Sequence, residues 1–218
     1  MSEMVANRPQ TIVYIDGFNF YYGAIKGTHY KWLNLEALCQ RLLSGDNIVK
    51  IRYFTARVDA RDDDPQLASR QGTYLRVLAT MPLVEIHYGH FVTRPVRLPR
   101  AKPQPGESPT VEVLRTEEKG SDVNLATYLL LDACKNSCDT AVVFSNDSDL
   151  AQAFDVAQSE MGIRVGIFNP HLRRHRSRRL QELGCLFYRQ VPKRALELSQ
   201  LPDTVHDLIG PIRKPEGW

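Results

Sequence analysis

No apolar run in this chain approaches the roughly 20 consecutive residues that a bilayer-spanning helix requires. Its first residues, MSEMVANRPQ, hold no apolar stretch between a basic end and a cleavage site. The expectation is a soluble, unexported protein with no membrane partner. Cysteine is also sparse: Cys39 and Cys185 stand alone, and Cys134 and Cys138 are four apart. That spacing matches neither a disulfide framework nor a CxxC…CxxC zinc site, so a reducing cytoplasm is the expected compartment. Net charge is low as well. With 28 basic residues against 25 acidic, the balance of +3 announces no nucleic-acid partner by itself, and the distribution of charge has to decide.

What is present is the composition of a globular domain, 43% hydrophobic and 24% charged over 218 residues, enough for one large domain. TIVYID, from Thr11, is a short β-branched apolar run of the kind buried on both faces, and it ends at Asp16. Alternating segments follow: a helix over 34–43 capped by Asn34, a strand over 49–58, a helix over 65–81, a strand over 83–92. Between Thr93 and Thr110 lie five prolines with Arg94, Arg97, Arg100 and Lys102, which predicts an exposed loop or ragged hairpin arm, with 111–114 returning as an edge strand. A helix capped by Ser121, a strand (TAVVFSND), a helix over 150–161 and a strand (RVGIF) complete the alternation. Such alternation means parallel strands joined by helical crossovers, hence a three-layer α/β/α sandwich with a mainly parallel sheet. Residues 1–190 form the expected domain, and 191–218 a peripheral C-terminal extension.

Ligands of an open parallel sheet bind beyond the carboxyl ends of its strands. Asp16 closes the first strand, Asp147 and Asp149 close the strand that begins at Thr140, and Asp122 sits in the first turn of the preceding helix. Each alone has an ordinary explanation as a turn, cap or first-turn acid. Four together would repel, and a hard divalent cation relieves that repulsion; Mg2+ or Mn2+ suits carboxylate and water oxygens. Such a centre activates water and stabilises the charge that develops as a phosphodiester is cut. Asn19, three residues after Asp16, is a candidate for contacting phosphate or sugar, with Ser145 and Asn146 beside the same pocket.

YIDGFNFYYG, EEKGSDVNLATYLLLDA and VVFSNDSDLAQAF, in that order, resemble the NYN-domain family, specifically its LabA-like branch, within the PIN-like nuclease superfamily. The likeness spans residues 11–169 and rests on an ordered set of blocks rather than one short pattern. It implies a PIN-like fold and divalent-metal-dependent RNA cleavage, with Asp16, Asp122, Asp147 and Asp149 as metal acids and Asn19 as their polar neighbour. Asn146 stands where many relatives have glycine. Whether Glu117 or Glu118 joins the acids is open at this level, as is a catalytically inactive RNA- or nucleotide-binding module on the same fold. Two rival chemistries fit poorly: an aspartyl-phosphate phosphohydrolase wants DxD after the first strand and a von Willebrand-type adhesion domain wants DxSxS, where this chain reads DGFNF.

HLRRHRSRR, from His171, contains Arg173, Arg174, Arg176, Arg178 and Arg179 and no acid, a strip suited to forking the phosphates of single-stranded or structured RNA. Tyr21, Tyr22, Tyr30 and Trp32 are candidates for base stacking, against the alternative of core packing. His171 and His175 lack a third zinc ligand, and Cys134 and Cys138 are expected to be small apolar residues beside Leu130 and Ala133. Homo-oligomerisation is left open.

Overall fold

The structure is a computed structural model describing residues 8–172 and 175–218. Its centre is a six-stranded, all-parallel sheet built from β1 (Gln10–Asp16), β2 (Asn47–Thr55), β3 (Val84–Tyr88), β6 (Thr140–Phe144), β7 (Arg164–Asn169) and β8 (Phe187–Gln190), in the order β3-β2-β1-β6-β7-β8. Strand periodicity splits the core in two. Val13 and Ile15 of β1 join Ile51, Tyr53, Val142 and Phe144 on one face, while Ile12 and Tyr14 join Phe54, Val143 and Ile167 on the other. Helices α2 (Leu35–Leu42) and α3 (Leu67–Leu78) cover the first face, and α4 (Ser121–Cys134) and α5 (Ala151–Ser159) the second, which makes the expected three-layer sandwich. Among the described residues no helix is long and apolar enough to cross a membrane.

Strand β1 leads outward through β2 to β3, and the later chain returns beside β1 and leads outward the other way through β6, β7 and β8. The winding therefore reverses between β1 and β6, and a crevice opens at their carboxyl ends. Register places it: Ile15 lies against Phe144, so Asp16 emerges beside Ser145.

Between β3 and α4 the chain leaves the sheet as a two-stranded antiparallel ribbon, β4 (His90–Pro99) with β5 (Thr110–Lys119). The expected strand over 83–92 thus breaks at Gly89, and the proline-rich arm is more regular than its composition indicates. Pro95 and Pro99 fit because residues of one parity on a two-stranded ribbon turn their N–H positions away from the partner strand. Ser121 is the first residue of α4 rather than its cap; Gly120 takes that place with φ of 98°, a left-handed conformation that favours glycine.

The segment after 190, expected to be peripheral, packs into the core. Val191, Ala195, Leu196 and Ile212 are buried with the α2–α3 face, along α7 (Lys193–Glu197) and a small hairpin of β9 (Thr204–His206) and β10 (Pro211–Arg213). Trp32, fully buried, donates its Nε1 proton to the Pro202 carbonyl at 2.7 Å. Arg76 forks Asp207 with two contacts of 2.6 Å.

A buried ion pair fastens α4 to the sheet. Arg52 of β2 forks Asp132 at 2.8 and 2.9 Å, Tyr14 donates to Asp132 Oδ2 at 2.8 Å, and Arg52 also reaches Glu85 at 2.5 Å. Cys138 lies in the adjoining core as expected, whereas Cys134 is exposed.

Candidate active site

Asp16 ends β1 and caps the helical turn that follows, α1 (Gly17–Phe20), accepting the Asn19 N–H on Oδ1 at 3.0 Å. Gly17 is required there by close approach: a Cβ would stand 2.6 Å from the Phe54 carbonyl oxygen. Asp16 Oδ2 accepts the Ser145 hydroxyl at 2.9 Å, and Ser145 Oγ in turn accepts the Asp147 N–H at 3.0 Å. Asp147 Oδ1 accepts the Asp149 N–H at 2.9 Å, capping the 3₁₀ turn Ser148–Leu150 that leads into α5.

Asp16 and Asp147 line a pocket of about 270 Å³ together with Asp122, Ser121, Asn19, Glu118, Phe18 and Phe91. Burial pushes the Asp16 carboxyl up to about 7, against the pull of the Asn19 N–H, with the charges of Asp122 and Asp147 adding to the rise. Burial also lifts Asp122 to about 6, reinforced by Asp147, Glu118 and Asp149. Desolvation is the larger cause of both rises, and the neighbouring acids add to it.

The structure brings Asp16, Asp122 and Asp147 to one pocket and leaves Asp149 exposed, outside its lining. The Asp149 N–H is committed to the cap turn, and its charge still acts on Asp122. Glu118, left open by sequence, does line the pocket and accepts the Ser121 N–H at 3.2 Å. Glu117 instead pairs with Arg115 and Lys119 at 2.6 and 3.2 Å on the ribbon. The signal for Glu118 was absent from the sequence, since only the ribbon's register, Phe91 against Glu118, carries both inward.

Asn19 Oδ1 is taken by the Asn146 N–H at 3.0 Å and by His171 Nε2 at 3.1 Å, which leaves its amide nitrogen to offer a ligand. Asn146 acts as a bracket that sequence reading did not foresee. Its side chain donates to the His175 carbonyl at 2.6 Å and accepts from the Ser177 N–H and the Tyr188 hydroxyl at 3.0 and 2.6 Å, tying the basic segment to the sheet edge.

Within that segment Arg176 is half-buried over the Tyr188 ring, 5.7 Å from its centroid, and Arg178 and Arg179 are exposed on α6 (Arg178–Gln181). Arg173 and Arg174 lie outside the described residues. Of the four aromatic candidates, Tyr30 and Trp32 are core, Tyr21 is half-buried, and Tyr22, 52% exposed, reaches the pocket.

Among the described residues no three His, Cys, Asp or Glu side chains meet in a geometry that would hold a metal by themselves. The donor chemistry nevertheless fits Mg2+, which takes one or two carboxylates and completes its shell with water and substrate oxygens rather than an all-protein cage. Ser121, a residue of the pocket lining, also has a buried hydroxyl with no hydrogen-bond partner among the described residues.

A second cavity of about 340 Å³ adjoins the first and shares Phe18, Tyr22, Val58 and Arg61 with it. Phe20, Tyr53, Tyr74 and Trp218 are among its walls.

The sequence pattern of the NYN domain matches residues 10–184. The chain belongs to the NYN domain family. That family generally comprises nucleases, and the sandwich is of the nuclease-like kind. This NYN protein is 30% identical over 236 aligned positions to the 6-hydroxy-3-succinoylpyridine 3-monooxygenase HspA of Pseudomonas putida (strain DSM 28022 / S16), covering 96% of this chain and 75% of that one. Its fold is similar to the crystal structure of VPA0982, a protein of unknown function from Vibrio parahaemolyticus RIMD 2210633, with a TM-score of 0.56 at 13% identity over 87% of this chain and 96% of that one.

Proposed function

We propose that this NYN protein, of the LabA-like branch, is a divalent-metal-dependent ribonuclease of the cytoplasm. The observation that carries this reading is the meeting of Asp16, Asp122 and Asp147 in one pocket at the β1–β6 reversal, where burial and the neighbouring acids raise the Asp16 and Asp122 carboxyls. Asp16, Asp122 and Asp147 would hold Mg2+ or Mn2+, which when bound supplies an activated water and a counter-charge for the cleaved phosphodiester. Asn19 offers its amide N–H to the substrate. Ser145 and the Asn19 N–H keep Asp16 in a single orientation. The arginines from Arg173 to Arg179 guide the RNA backbone toward the acids. Asp149, exposed and outside the pocket lining, acts on Asp122 through its charge.

Incubating purified protein with single-stranded and structured RNA, with Mg2+ or Mn2+ and with EDTA, tests the proposal. Cleavage that needs the metal and is lost in Asp16→Asn/Asp147→Asn supports it. Binding without turnover in either metal leaves a non-catalytic RNA-binding module.

The adjoining aromatic cavity favours a second reading, in which the chain oxygenates a small pyridine as its curated relative does. A monooxygenase consumes dioxygen and two electrons from a reductant. Turnover of 6-hydroxy-3-succinoylpyridine that requires both dioxygen and an added reduced nicotinamide would establish it.

A further inference from the structure

The 340 Å³ cavity lies outside the cluster of acids, and its walls argue for a particular ligand. It is formed by the turn after β1, by β2 and by α3, with Phe20, Tyr21, Tyr53, Tyr74 and Trp218 in its lining. Two of its uncharged polar groups are committed to the backbone. Tyr74 donates to the Leu33 carbonyl at 2.8 Å, and Gln71 bridges the Ala56 carbonyl and the Val58 N–H, both at 2.9 Å. The lining offers a ligand several aromatic side chains in a volume typical of small-molecule sites.

Charge at its mouth is asymmetric. Lys26, Lys31 and Arg61 line the cavity with Asp63 and Asp64, but Arg70 already engages Asp64. Lys26 stands 4.7 Å over the Tyr22 ring, and Arg61 belongs to both cavities. Among the described residues none of these three cations forms an ion pair. An aromatic slot bordered by unpaired cations selects a flat ring that carries an anion.

We infer that this cavity binds one planar heteroaromatic ring bearing a phosphate or carboxylate, with the ring among Phe20, Tyr53 and Tyr74 and the anion toward Arg61. Two sources share that chemistry, a nucleotide and a free heterocyclic acid. The ring site rests on the cavity alone; only the placing of a nucleotide's phosphate near the acids rests on the ribonuclease reading.

Both tryptophans are well placed to report occupancy. Trp218 lines the cavity, and its ring centroid is 6.3 Å from that of Trp32. Tryptophan emission of the full chain is followed while adenosine 5′-monophosphate, nicotinate or ribose 5-phosphate is added, with and without Mg2+. The expected result is quenching by a ring compound at a concentration at least roughly tenfold below any effect of ribose 5-phosphate, the scale of one stacking interaction.

Tyr22→Ala removes an exposed wall and Val58→Phe fills the shared rim; both should raise the midpoint while the melting temperature is unchanged. Tighter binding of the monophosphate with Mg2+ identifies a nucleotide site, and preference for nicotinate identifies a free ring acid. Quenching no stronger than that of ribose 5-phosphate, or midpoints untouched by both variants, overturns the inference even if RNA is cleaved. Ring binding without metal-dependent cleavage leaves the inference standing and removes the ribonuclease reading.

Discussion

Ser145 donates its hydroxyl to Asp16 Oδ2 at 2.9 Å across 129 positions of the chain. The bond exists because β1 and β6 run parallel and in register, so the residues just past their ends come side by side. It holds the Asp16 carboxylate in a buried setting that raises its proton affinity instead of lowering it.

That setting makes metal-free stability depend on pH. Asp16 rises from an ordinary 3.8 to about 7, so the folded chain holds its proton more tightly than the unfolded chain does. The resulting contribution is fully present below pH 3.8 and is lost as pH rises through 7, amounting to roughly 4 kcal/mol. In EDTA, Asp16→Asn should therefore melt above wild type at pH 8, with the margin narrowing steadily toward pH 4. A margin that grows on acidification would contradict the burial argument. Added Mn2+ should raise the melting temperature of wild type at pH 8 and leave Asp16→Asn nearly unchanged.

Catalytic loss should separate from stability. Asp147→Asn keeps the cap geometry, since an amide oxygen can still accept the Asp149 N–H. Its melting temperature should stay near wild type while the rate of metal-dependent RNA cleavage falls by about 100-fold or more, equivalent to several kcal/mol of transition-state stabilisation. Asp149→Asn, outside the pocket, should cost far less; equal losses in the two variants would return Asp149 to the site.

The Arg52–Asp132 pair carries a structural prediction. Asp132→Ala removes the buried partner of Arg52 and leaves it only the more exposed Glu85, which should destabilise the chain by about 3–5 kcal/mol in urea denaturation. Asp132 and Asp122 share α4, so movement of the helix should also shift the site. A cost under 1 kcal/mol would mean that the pair is hydrated in solution.

Gly17 and Gly45 form a matched comparison. A Cβ on Gly17 meets the Phe54 carbonyl oxygen at 2.6 Å, whereas Gly45 has nothing within 4 Å. Gly17→Ala should lower stability by about 1–3 kcal/mol through overpacking, and Gly45→Ala should be close to neutral. Comparable melting temperatures for the two would show that α1 can shift away from β2.

For the basic segment the readout is salt. Replacing Arg176, Arg178 and Arg179 with Ala should flatten the dependence of RNA affinity on ionic strength by about 0.7 for each single-strand phosphate contact removed. Asn146→Ala, which frees the segment from the sheet edge, should weaken binding and leave the slope largely intact. An unchanged slope in the triple variant would detach this segment from the RNA.

Some of this was legible in the sequence for reasons that particular residues make plain. TIVYID and TAVVF announce buried strands because a two-faced parallel strand must be apolar along its whole length, and an acid at the end of such a run has to lie at the sheet edge. The ribbon was harder to see: Pro95 and Pro99 argue against a strand until a partner shows that their side of the ribbon needs no donor. Glu118 and Asp149 show what spacing along the chain does not record. Proximity along the chain grouped Asp149 with Asp147, whereas the pocket lining holds Asp147 and, through ribbon register, Glu118, with Asp149 exposed outside it.

Local order of apolar and polar residues was thus enough to determine an α/β alternation, the strand-ending acids and the arginine-rich strip, since each depends only on the period of the backbone and the composition of one segment. Tertiary structure decided which acids share a pocket, that Asn146 fastens the basic segment, that Arg52 pairs with Asp132, and that Trp218 reaches Tyr74 beside a cavity walled by β2 and α3. Those outcomes depend on strand order and register between segments far apart in the chain, and a periodicity confined to one segment carries no record of them.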